Sequence, residues 1–589
     1  MTDDTRSCRR RLARALILVL ALVAGGSGMS SVQAQTPEAP AKDEPQASQR
    51  AAESSLEDLK PKLGQFFIFG LPGPDLSEAT RKHILETRAT AFILFRRNLK
   101  SNKQVTELTR GLHKLSEEIN GQPALIGLDQ EGGRVIRIPF EPPLPSAYAL
   151  GQTRDPETIE TISFQVGRAL RQLGFNVNFA PVLDLGTDTQ YSFLGQRAFS
   201  NDPVWASDFG VAYARGHVRA RVLPVAKHFP GIGPIPNDPH LSLVRRPVSM
   251  EELRTRDLVP FENFARIADS GIMISHLIYP KIDPHLPGTF SKAIVEDLLQ
   301  TQLEYKGLVV TDDLMMEGAK ASKDFENDIV KAFQAGADLL MITWSGARQK
   351  QAVNALAKAL QDGRIKRETV IARLAKMERI RAKVKMDREP FALDDRQLLV
   401  YNFKPYEKVI DQAFRKSLSE AGRALIFAPA EKMLVLRDQA RILESLAQLR
   451  GPATVRPPAQ IQQGNLAQIR AHLEAAPDES TWVLFVRHRA EAEIANAIPV
   501  KLRKQILLVN LWRPDAKVGA FPNQVGLFMS HPKANQLLAA WINERVLQSR
   551  VQPSDGRSRF GQLPSRLLRE FPSSDVSRAV SIDPGPLSR

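Results

Sequence analysis

Residues 227–240 (KHFPGIGPIPNDPH) end on an acid and an imidazole, Asp238 and His240, that lie two positions apart. A histidine titrates near neutral pH, and a carboxylate bonded to one ring nitrogen fixes its tautomer and stabilises the imidazolium that forms. The pair is therefore suited to proton transfer. Because Asp-x-His pairs also occur by chance, and because loops rich in proline and glycine often serve only as connections, the rest of the sequence has to decide between these two interpretations.

Further side chains able to do chemistry stand at the ends of short runs of β-forming residues. Eight such runs cover 65–71, 91–95, 124–129, 176–184, 222–229, 271–276, 308–313 and 337–342. Segments of helical period lie between them, among them 76–88, 156–173, 203–222, 250–268 and 291–303. Eight strands separated by helices over about 330 residues predict an α/β chain whose main domain is a (β/α)8 TIM-like barrel.

The polar residues fall where this fold assembles active sites. They are Asp129 on the third run, Lys227 and His228 on the fifth, His276 on the sixth, and Asp312 and Asp313 on the seventh. The C-terminal ends of the strands meet at one face of a barrel, so these runs direct their polar side chains to a common site. A charge at a strand end can also simply begin a solvated loop, but that explanation weakens when several strands share the pattern.

Composition and charge are those of a globular protein with more than one domain. The 589 residues are 43% hydrophobic and 25% charged. The formal net charge is +15, of which residues 1–34 supply +3 from five arginines and two aspartates, which leaves +12 on the remainder. This charge favours anionic surroundings such as cell-wall polymers, nucleic acid or lipid headgroups. Because no nucleic-acid-binding motif accompanies it, we expect no nucleic-acid partner.

The N-terminus has the features of an export signal. A cluster of arginines precedes the apolar run 15–24, and Val32-Gln33-Ala34 resembles a small-x-small cleavage site. A retained anchor is the alternative, but the run is short for a spanning helix, so we expect no stable membrane insertion after cleavage. Arg9 and Arg10 leave a twin-arginine route open. The only cysteine, Cys8, lies in this signal, so the mature chain has no thiol for a disulfide, a metal site or a nucleophile.

Composition also predicts the domain boundaries. We expect a signal peptide at 1–34, a disordered linker at 35–57, the barrel at 58–385, a linker at 386–405, a smaller α/β domain at 406–546 and a disordered tail at 547–589. In the second domain, a helix is predicted over 406–420 and buried parallel strands over 424–427, 482–487, 505–511 and 525–529. No glycine-rich phosphate loop accompanies these strands, so no nucleotide site is predicted there.

Six segments together resemble glycoside hydrolase family 3, in particular its bacterial β-N-acetylglucosaminidase branch in a two-domain form. They are LDQEGGRVIR (128–137), FAPVLDL (179–185), RAFSNDP (197–203), KHFPGIG with DPH (227–240), SHLIYPKID (275–283) and VVTDDLMMEGA (309–319). They occur in the family's order and span essentially all of residues 59–385. The second domain more weakly resembles the α/β sandwich domain of two-domain members, without a motif that marks a catalytic glutamate.

The resemblance implies a role for each site residue. Asp312 is the expected nucleophile, Asp238 and His240 form the acid/base dyad, and Asp313 is a supporting or capping carboxylate. The chemistry is a retaining hydrolysis, in which a carboxylate attacks the anomeric carbon and an acid protonates the leaving oxygen. The residues expected to bind the sugar are Asp129, Arg137, Arg197, Lys227, His228, Met273 and His276. Two of these leave alternatives open, because Met273 can be a core residue and His276 a satisfied strand-end histidine.

The dyad loop departs from the family pattern. Ile232 stands where members usually have a histidine or a small residue, and Pro239 stands between the dyad members where a serine or threonine is usual. Proline fixes its own backbone and lacks an N–H that could help to orient Asp238. These departures put the rate of the dyad chemistry in question.

The predicted function is an exported, periplasmic or secreted, exo-acting β-N-acetylglucosaminidase that needs no metal or organic cofactor. Its substrate would be terminal β-linked GlcNAc of peptidoglycan fragments or chitooligosaccharides, and the oligomeric state is left open. A β-N-acetylglucosaminide phosphorylase is one alternative, since a histidine acid/base does not repel an incoming phosphate. A catalytically impaired, peptidoglycan-binding scaffold is another, suggested by the altered loop. A β-glucosidase fits less well, because the dyad belongs to the N-acetylglucosaminidase branch.

Overall fold

The structure is a computed structural model that describes residues 55–141, 144–186, 194–233, 235, 243–319 and 324–385, together with short pieces between 401 and 526. The predicted signal peptide and C-terminal tail lie outside these residues, as do both members of the dyad, Asp238 and His240. The first helix, α1 (Leu56–Leu59), begins two residues inside the segment predicted as a linker. The domain boundaries stay predictions.

Eight parallel strands close into a barrel, which confirms the predicted (β/α)8 fold. In order around the barrel they are β1 (Phe67–Gly70), β2 (Ala91–Ile93), β3 (Leu125–Leu128), β5 (Val177–Asn178), β6 (Leu223–Phe229), β7 (Gly271–Ile274), β8 (Leu308–Asp313) and β9 (Leu339–Ile342). The last strand pairs with the first, for example Leu340 with Phe67. Both faces of each strand are covered, so the strands are short runs of buried apolar residues without alternation.

Helices surround the barrel and begin at capping residues. They are α2 (Glu78–Thr87), α3 (Asn102–Asn120), α4 (Ala147–Gln152), α5 (Pro156–Gln172), α6 (Pro203–Arg219), α7 (Met250–Glu252), α8 (Val259–Phe264), α9 (Phe325–Ala335), α10 (Gly346–Gln361) and α11 (Arg367–Lys383). The side chains of Ser101, Asp155 and Asp202 each accept a hydrogen bond from a backbone N–H in the first turn of the helix that follows. The predicted helix 291–303 takes a π-helical form over Ala293–Gln302.

The predicted helix 250–268 is divided. It consists of α7, a π-helical turn over Leu253–Asp257, and α8. Pro260 stands in the first turn of α8. Proline has no N–H for the i to i−4 ladder, so it is tolerated at the start of a helix and not in its interior. A continuous helix through this residue was therefore the wrong expectation.

Two further pairings involve the chain after the barrel. A short strand in the loop that follows β3, β4 (Phe140–Glu141), pairs in parallel with β10 (Tyr401–Asn402), which lies within the predicted linker. A second sheet contains β12 (Met433–Val435), β13 (Thr481–Val486), β14 (Ile506–Asn510) and β15 (Asn523–Gly526) in parallel, with β11 (Ser419–Ala421) antiparallel to β15.

The second sheet matches the prediction in part. β13 and β14 lie where strands were predicted at 482–487 and 505–511, and β15 begins two residues before the predicted 525–529. The predicted strand 424–427 lies outside the described residues. The predicted helix 406–420 is wrong at its end, because Ser419 and Glu420 belong to β11 and pair antiparallel with β15. In the part of the chain that is described, no helix is both long and apolar enough to cross a membrane.

Candidate active site

Two carboxylates, Asp129 and Asp312, stand at the mouth of the barrel. Leu125, Gly127 and Leu308 line a small cavity inside the barrel. Because side chains alternate between the two faces of a strand, Asp129 follows Gly127 on the inner side of β3. Asp312 lies in β8 one residue before the end of that strand, where the pairing with β9 shifts register between Val310 and Asp313. Both stand at C-terminal strand ends, where barrels assemble their sites.

Asp129 belongs to a network of three cations and two carboxylates, in which Lys227 and Glu131 are buried and the other three are partly buried. Lys227 Nζ lies 2.9 Å from Asp129 Oδ1 and 2.7 Å from Glu131 Oε1. Arg137 Nη2 donates to Asp129 Oδ2 at 2.8 Å. Arg197 donates to Glu131 through Nε at 2.8 Å and Nη2 at 2.9 Å. The structure thus brings together four residues predicted to bind sugar and adds Glu131, which lies inside a quoted motif and was not singled out.

Mutual attraction keeps this network charged. Burial by itself would raise the pKa of Asp129, but the charges of Lys227 and Arg137 outweigh burial and hold that pKa below its ordinary value. The pKa of Glu131 is likewise lowered, against burial, by Arg197 and Lys227. Burial by itself would lower the pKa of Lys227, but the two carboxylates raise it above its ordinary value. At neutral pH these groups therefore act as charged hydrogen-bonding partners and not as proton carriers.

Gln130 fixes the loop on which the network is built. Its side-chain Oε1 accepts from the backbone N–H groups of Arg137 at 2.9 Å and Ile138 at 3.1 Å, and its Nε2 donates to the carbonyl of Ile138 at 2.8 Å. Its own N–H donates to Asn178 Oδ1 at 3.0 Å. The fully buried glutamine thereby holds Asp129, Glu131 and Arg137 on one rigid turn.

His228 is held by a carboxylate that the sequence analysis did not single out. Asp184 Oδ2 lies 2.6 Å from His228 Nδ1 and accepts the backbone N–H of the same residue at 3.1 Å. Asp184 Oδ1 accepts the N–H of Ile232 at 2.8 Å. The carboxylate is fully buried, so these contacts are shielded from water. Since Nδ1 is used by Asp184, the remaining ring nitrogen, Nε2, is the one that can serve a ligand.

The segment leading to the dyad is anchored on both sides. Ile232, Ile235 and Val244 are buried in one apolar cluster between the barrel and its helices. Ile232, the residue that departs from the family pattern, therefore packs into the core and does not face the site. A polar contact holds the same segment, because Arg246 Nη1 donates to the carbonyl of Gly231 at 2.7 Å. The geometry of Asp238 and His240 themselves lies outside the described residues, and their role stays a prediction.

The two adjacent aspartates of β8 have different surroundings. Asp313 accepts the N–H groups of Met315 at 3.1 Å and Thr343 at 3.2 Å on Oδ1, and the Thr343 hydroxyl donates to its Oδ2. Burial raises the pKa of Asp313, although these hydrogen bonds by themselves would lower it. Asp312 Oδ1 accepts the N–H of Asp313 at 2.8 Å. Asp313 thus ties the end of β8 to Thr343, which directly follows β9.

The two residues with open alternatives lie beside β8. His276 is buried and uses both ring nitrogens within the protein, with Nδ1 2.7 Å from Thr289 Oγ1 and Nε2 3.0 Å from the carbonyl of Asp313. Met273 is paired in register with Val310 on the inner side of β7. In this structure His276 supports the end of β8. No group of three or more histidines, cysteines or acids among the described residues is arranged to hold a metal ion.

A closed (β/α)8 barrel with carboxylates and cations at its mouth is a fold suited to carbohydrate chemistry. Residues 58–380 match the N-terminal domain of glycosyl hydrolase family 3, and the chain belongs to this family. It is accordingly a glycoside hydrolase.

Named relatives agree with this assignment. A beta-hexosaminidase of Alkalilimnicola ehrlichii is 35% identical over 302 residues, which are 50% of this chain and 84% of the relative. An uncharacterized secreted glycosyl hydrolase of Arthroderma benhamiae is 33% identical over 326 residues, 53% of this chain and 90% of that protein. The solved structure of a family 3 beta-N-acetylglucosaminidase from Paenibacillus sp. superimposes with a TM-score of 0.72 at 27% identity, covering 83% of this chain and 97% of the other.

Proposed function

We propose that this protein is a retaining exo-β-N-acetylglucosaminidase that removes terminal β-linked GlcNAc from peptidoglycan fragments or chitooligosaccharides. The observation that carries the proposal is the position of Asp312 near the C-terminal end of β8, at the same barrel mouth as the network of Asp129 and Lys227. The beta-hexosaminidase relative and the solved beta-N-acetylglucosaminidase support the choice of sugar.

In the first step the Asp312 carboxylate attacks the anomeric carbon of the terminal sugar. The bond from this carbon to the leaving oxygen breaks, and protonated His240 donates its proton to that oxygen. A glycosyl ester on Asp312 and a neutral imidazole result. In the second step His240 takes a proton from water while the water oxygen displaces Asp312 from the anomeric carbon. Two displacements release the sugar with its original configuration, and Asp238 stabilises the imidazolium at both ends of the cycle.

The charged network binds the sugar in this proposal. Asp129 accepts hydrogen bonds from ring hydroxyls, and Arg137, Arg197 and Lys227 donate to hydroxyls or to the acetamido oxygen, with His228 Nε2 as a further partner. Charge-assisted hydrogen bonds are stronger than neutral ones. The rigid turn on Gln130 fixes the acceptor of Asp129 before the substrate arrives, so little ordering is needed on binding.

We further propose export to the periplasm or the medium. The support is the arginine cluster, apolar run and small-x-small site within residues 1–34. The word "secreted" in the name of the Arthroderma relative agrees with it. The basic charge of the remaining chain would keep the enzyme near an anionic wall. Fractionation of cells, with the mature N-terminus sequenced from the exported protein, tests both the compartment and the cleavage after Ala34.

The function is tested by release of 4-nitrophenol from its β-GlcNAc and β-glucose glycosides. We expect turnover of the GlcNAc substrate and at least a roughly thousandfold lower kcat for Asp312→Asn, because an amide cannot form the ester. Asp313→Asn is the matched control, since its amide keeps an oxygen for Met315 and Thr343, and its rate should stay within about tenfold of the wild type. Equal loss in the two variants would contradict the assignment of the nucleophile.

Phosphorolysis is a second candidate, favoured by the excess of cations over carboxylates in the network of Asp129, Glu131, Arg137, Arg197 and Lys227. Product analysis with added phosphate distinguishes it, because phosphorolysis yields GlcNAc-1-phosphate and hydrolysis yields free GlcNAc. A folded wild-type protein that binds chitobiose without cleaving it under either condition would instead support the binding scaffold.

A further inference from the structure

Trp344 is an exposed aromatic residue at the barrel mouth. It lies two residues after the end of β9, and its side chain is 56% exposed. Among the aromatic residues that the structure describes between 55 and 385, no other is more than half exposed. An exposed aromatic ring at the mouth of an active site offers a flat apolar surface on which a ligand can pack.

The indole is held as a fixed surface. The Arg97 guanidinium carbon lies 3.7 Å from the centre of the Trp344 ring and 4.6 Å from that of Phe95. Arg97 is itself fixed, because Nε donates to the carbonyl of Leu71 at 2.9 Å and Nη2 to that of Thr343 at 3.0 Å. Arg97 thus covers one face of the indole, and more than half of the residue's surface stays exposed.

Two sets of contacts connect Trp344 to the active site. Its neighbour Thr343 binds the carboxylate of Asp313, which is the neighbour of Asp312. Adjacent strands of a sheet lie about 4.8 Å apart. Trp344 and Asp312, the sequence neighbours of the bonded pair Thr343 and Asp313, therefore lie close together on the rim.

The second connection runs along the rim. Phe95 lies with its ring centre 6.4 Å from that of Trp344 at an interplanar angle of 17°. The guanidinium of Arg137 lies 5.6 Å from the same Phe95 ring, and Arg137 also binds Asp129. Trp344 therefore lies on the rim of the barrel, joined to the charged network through Phe95 and Arg137.

We propose that the indole of Trp344 stacks against the first pyranose ring of the leaving group. The C–H face of a pyranose is apolar and matches a flat aromatic surface, whereas its hydroxyls point outward to water. An exo-acting enzyme has no sugar beyond the terminal residue on the non-reducing side. A second ring at the rim can therefore belong only to the leaving group. The inference rests on the proposed function, since it assigns a substrate group to the same site.

The test compares substrates with and without that ring. The substrates are β-GlcNAc fluoride, whose leaving group is one atom, chitobiose, and the disaccharide of GlcNAc linked to N-acetylmuramic acid. They are measured with wild type, Trp344→Ala, Trp344→Phe and the control Leu85→Ala. Leu85 is an apolar residue 40% exposed in the last turn of α2, beside the strand starts at the other end of the barrel. We expect Trp344→Ala to lower kcat/KM for the disaccharides roughly tenfold, mainly through KM, with Trp344→Phe between it and wild type.

The fluoride decides between stacking and a structural effect. It should be hydrolysed at the wild-type rate by all variants, and Leu85→Ala should match wild type throughout. Equal losses on fluoride and disaccharides, or no loss on either disaccharide, would overturn the proposal. A loss on both disaccharides supports a general pyranose platform, and a loss on one alone identifies the chitin-type or the wall-type leaving group.

Failure of the proposed function gives a different result. If wild type cleaves none of the three substrates, the hydrolase proposal fails, and the platform is then tested by calorimetry with chitobiose and with GlcNAc. Weaker binding of chitobiose alone in Trp344→Ala supports the platform, and unchanged binding rejects it.

Discussion

Asp184 binds both the main chain and the side chain of His228, with Oδ2 3.1 Å from the backbone nitrogen and 2.6 Å from Nδ1. Its other oxygen accepts the N–H of Ile232 at 2.8 Å. One buried carboxylate therefore fixes a predicted sugar-binding residue and the first turn of the segment that leads to His240. Asp184 is a positioning residue in this arrangement, because it acts through His228 and Ile232.

Replacement of Asp184 by asparagine should impair catalysis. One acceptor oxygen becomes an NH2 group, which cannot accept from His228, and loss of a hydrogen bond to a charged group costs about 1.5–3 kcal/mol. We expect kcat/KM for 4-nitrophenyl β-GlcNAc to fall roughly 10- to 100-fold in steady-state kinetics.

Asp338→Asn is the matched control for Asp184→Asn. Asp338 is also a buried aspartate, bound to Lys376 Nζ at 2.5 Å and to the N–H of Val309, but it stands just before β9 at the far end of the barrel. It should lower stability and leave kcat/KM unchanged. If both variants lose activity equally, Asp184 has only a general structural role.

Glu131 should be important for stability as well as for binding. Glu131→Gln removes the charge that compensates Arg197 and Lys227, and breaking a buried ion pair from one side typically costs about 3–5 kcal/mol. Urea denaturation of the two proteins measures this difference. Glu160→Gln is the control, since Glu160 pairs with the half-exposed Arg219 and should cost at most about 1 kcal/mol. Similar stability losses in the two variants would show that burial does not strengthen the network.

The barrel was predictable from the sequence because buried parallel strands are compact apolar runs, and eight of them occur at regular intervals. The site residues at strand ends followed from the same pattern. Glu131 and Asp184 were missed because their importance depends on partners far along the chain, Arg197 and His228. The interruption of the predicted helix at Pro260 was visible in the sequence, since proline disfavours a helix interior. The place of Ile232, which departs from the family pattern, could be found only in three dimensions, where it packs into the core.

His217 makes stability depend on pH. It is fully buried, it stacks on Tyr213, and its Nε2 lies 3.0 Å from Asn178 Nδ2, from which only a neutral imidazole can accept. Burial lowers its pKa from 6.5 to about 4. The unfolded chain therefore binds more protons than the folded one between these values. The contribution of His217 is complete above pH 6.5 and is lost as the pH falls toward 4.

The predicted loss is about 2 kcal/mol between neutral pH and about pH 5 for this one histidine. His113 is also buried with a pKa lowered to about 4, and it should contribute a similar amount. His217→Gln keeps an amide oxygen for Asn178 and cannot titrate, so its free energy of unfolding should fall about half as much as that of wild type. Denaturation curves at several pH values measure this. Parallel pH profiles for the two proteins would refute the assignment.

Gly233 sets the approach of the chain to the dyad. Its φ is +62°, and a Cβ at this position would lie 2.5 Å from the guanidinium carbon of Arg246, which is paired with Asp257 and bound to the carbonyl of Gly231. Gly233→Ala must therefore displace Arg246 or the loop itself. We expect this variant to act on protonation of the leaving group, because the segment continues directly to Asp238 and His240.

Leaving-group dependence separates this effect from simple backbone strain. General acid catalysis matters most for a poor leaving group, so Gly233→Ala should lower kcat/KM for chitobiose about tenfold more than for 4-nitrophenyl β-GlcNAc. Gly363→Ala is the control, since Gly363 has a φ of +73° and no atom within 4 Å of the added Cβ. Gly363→Ala should lose about 1 kcal/mol of stability, because alanine is strained at a positive φ, and its activity should not change. An equal loss on both substrates in Gly233→Ala would mean that the loop positions the sugar and not the acid.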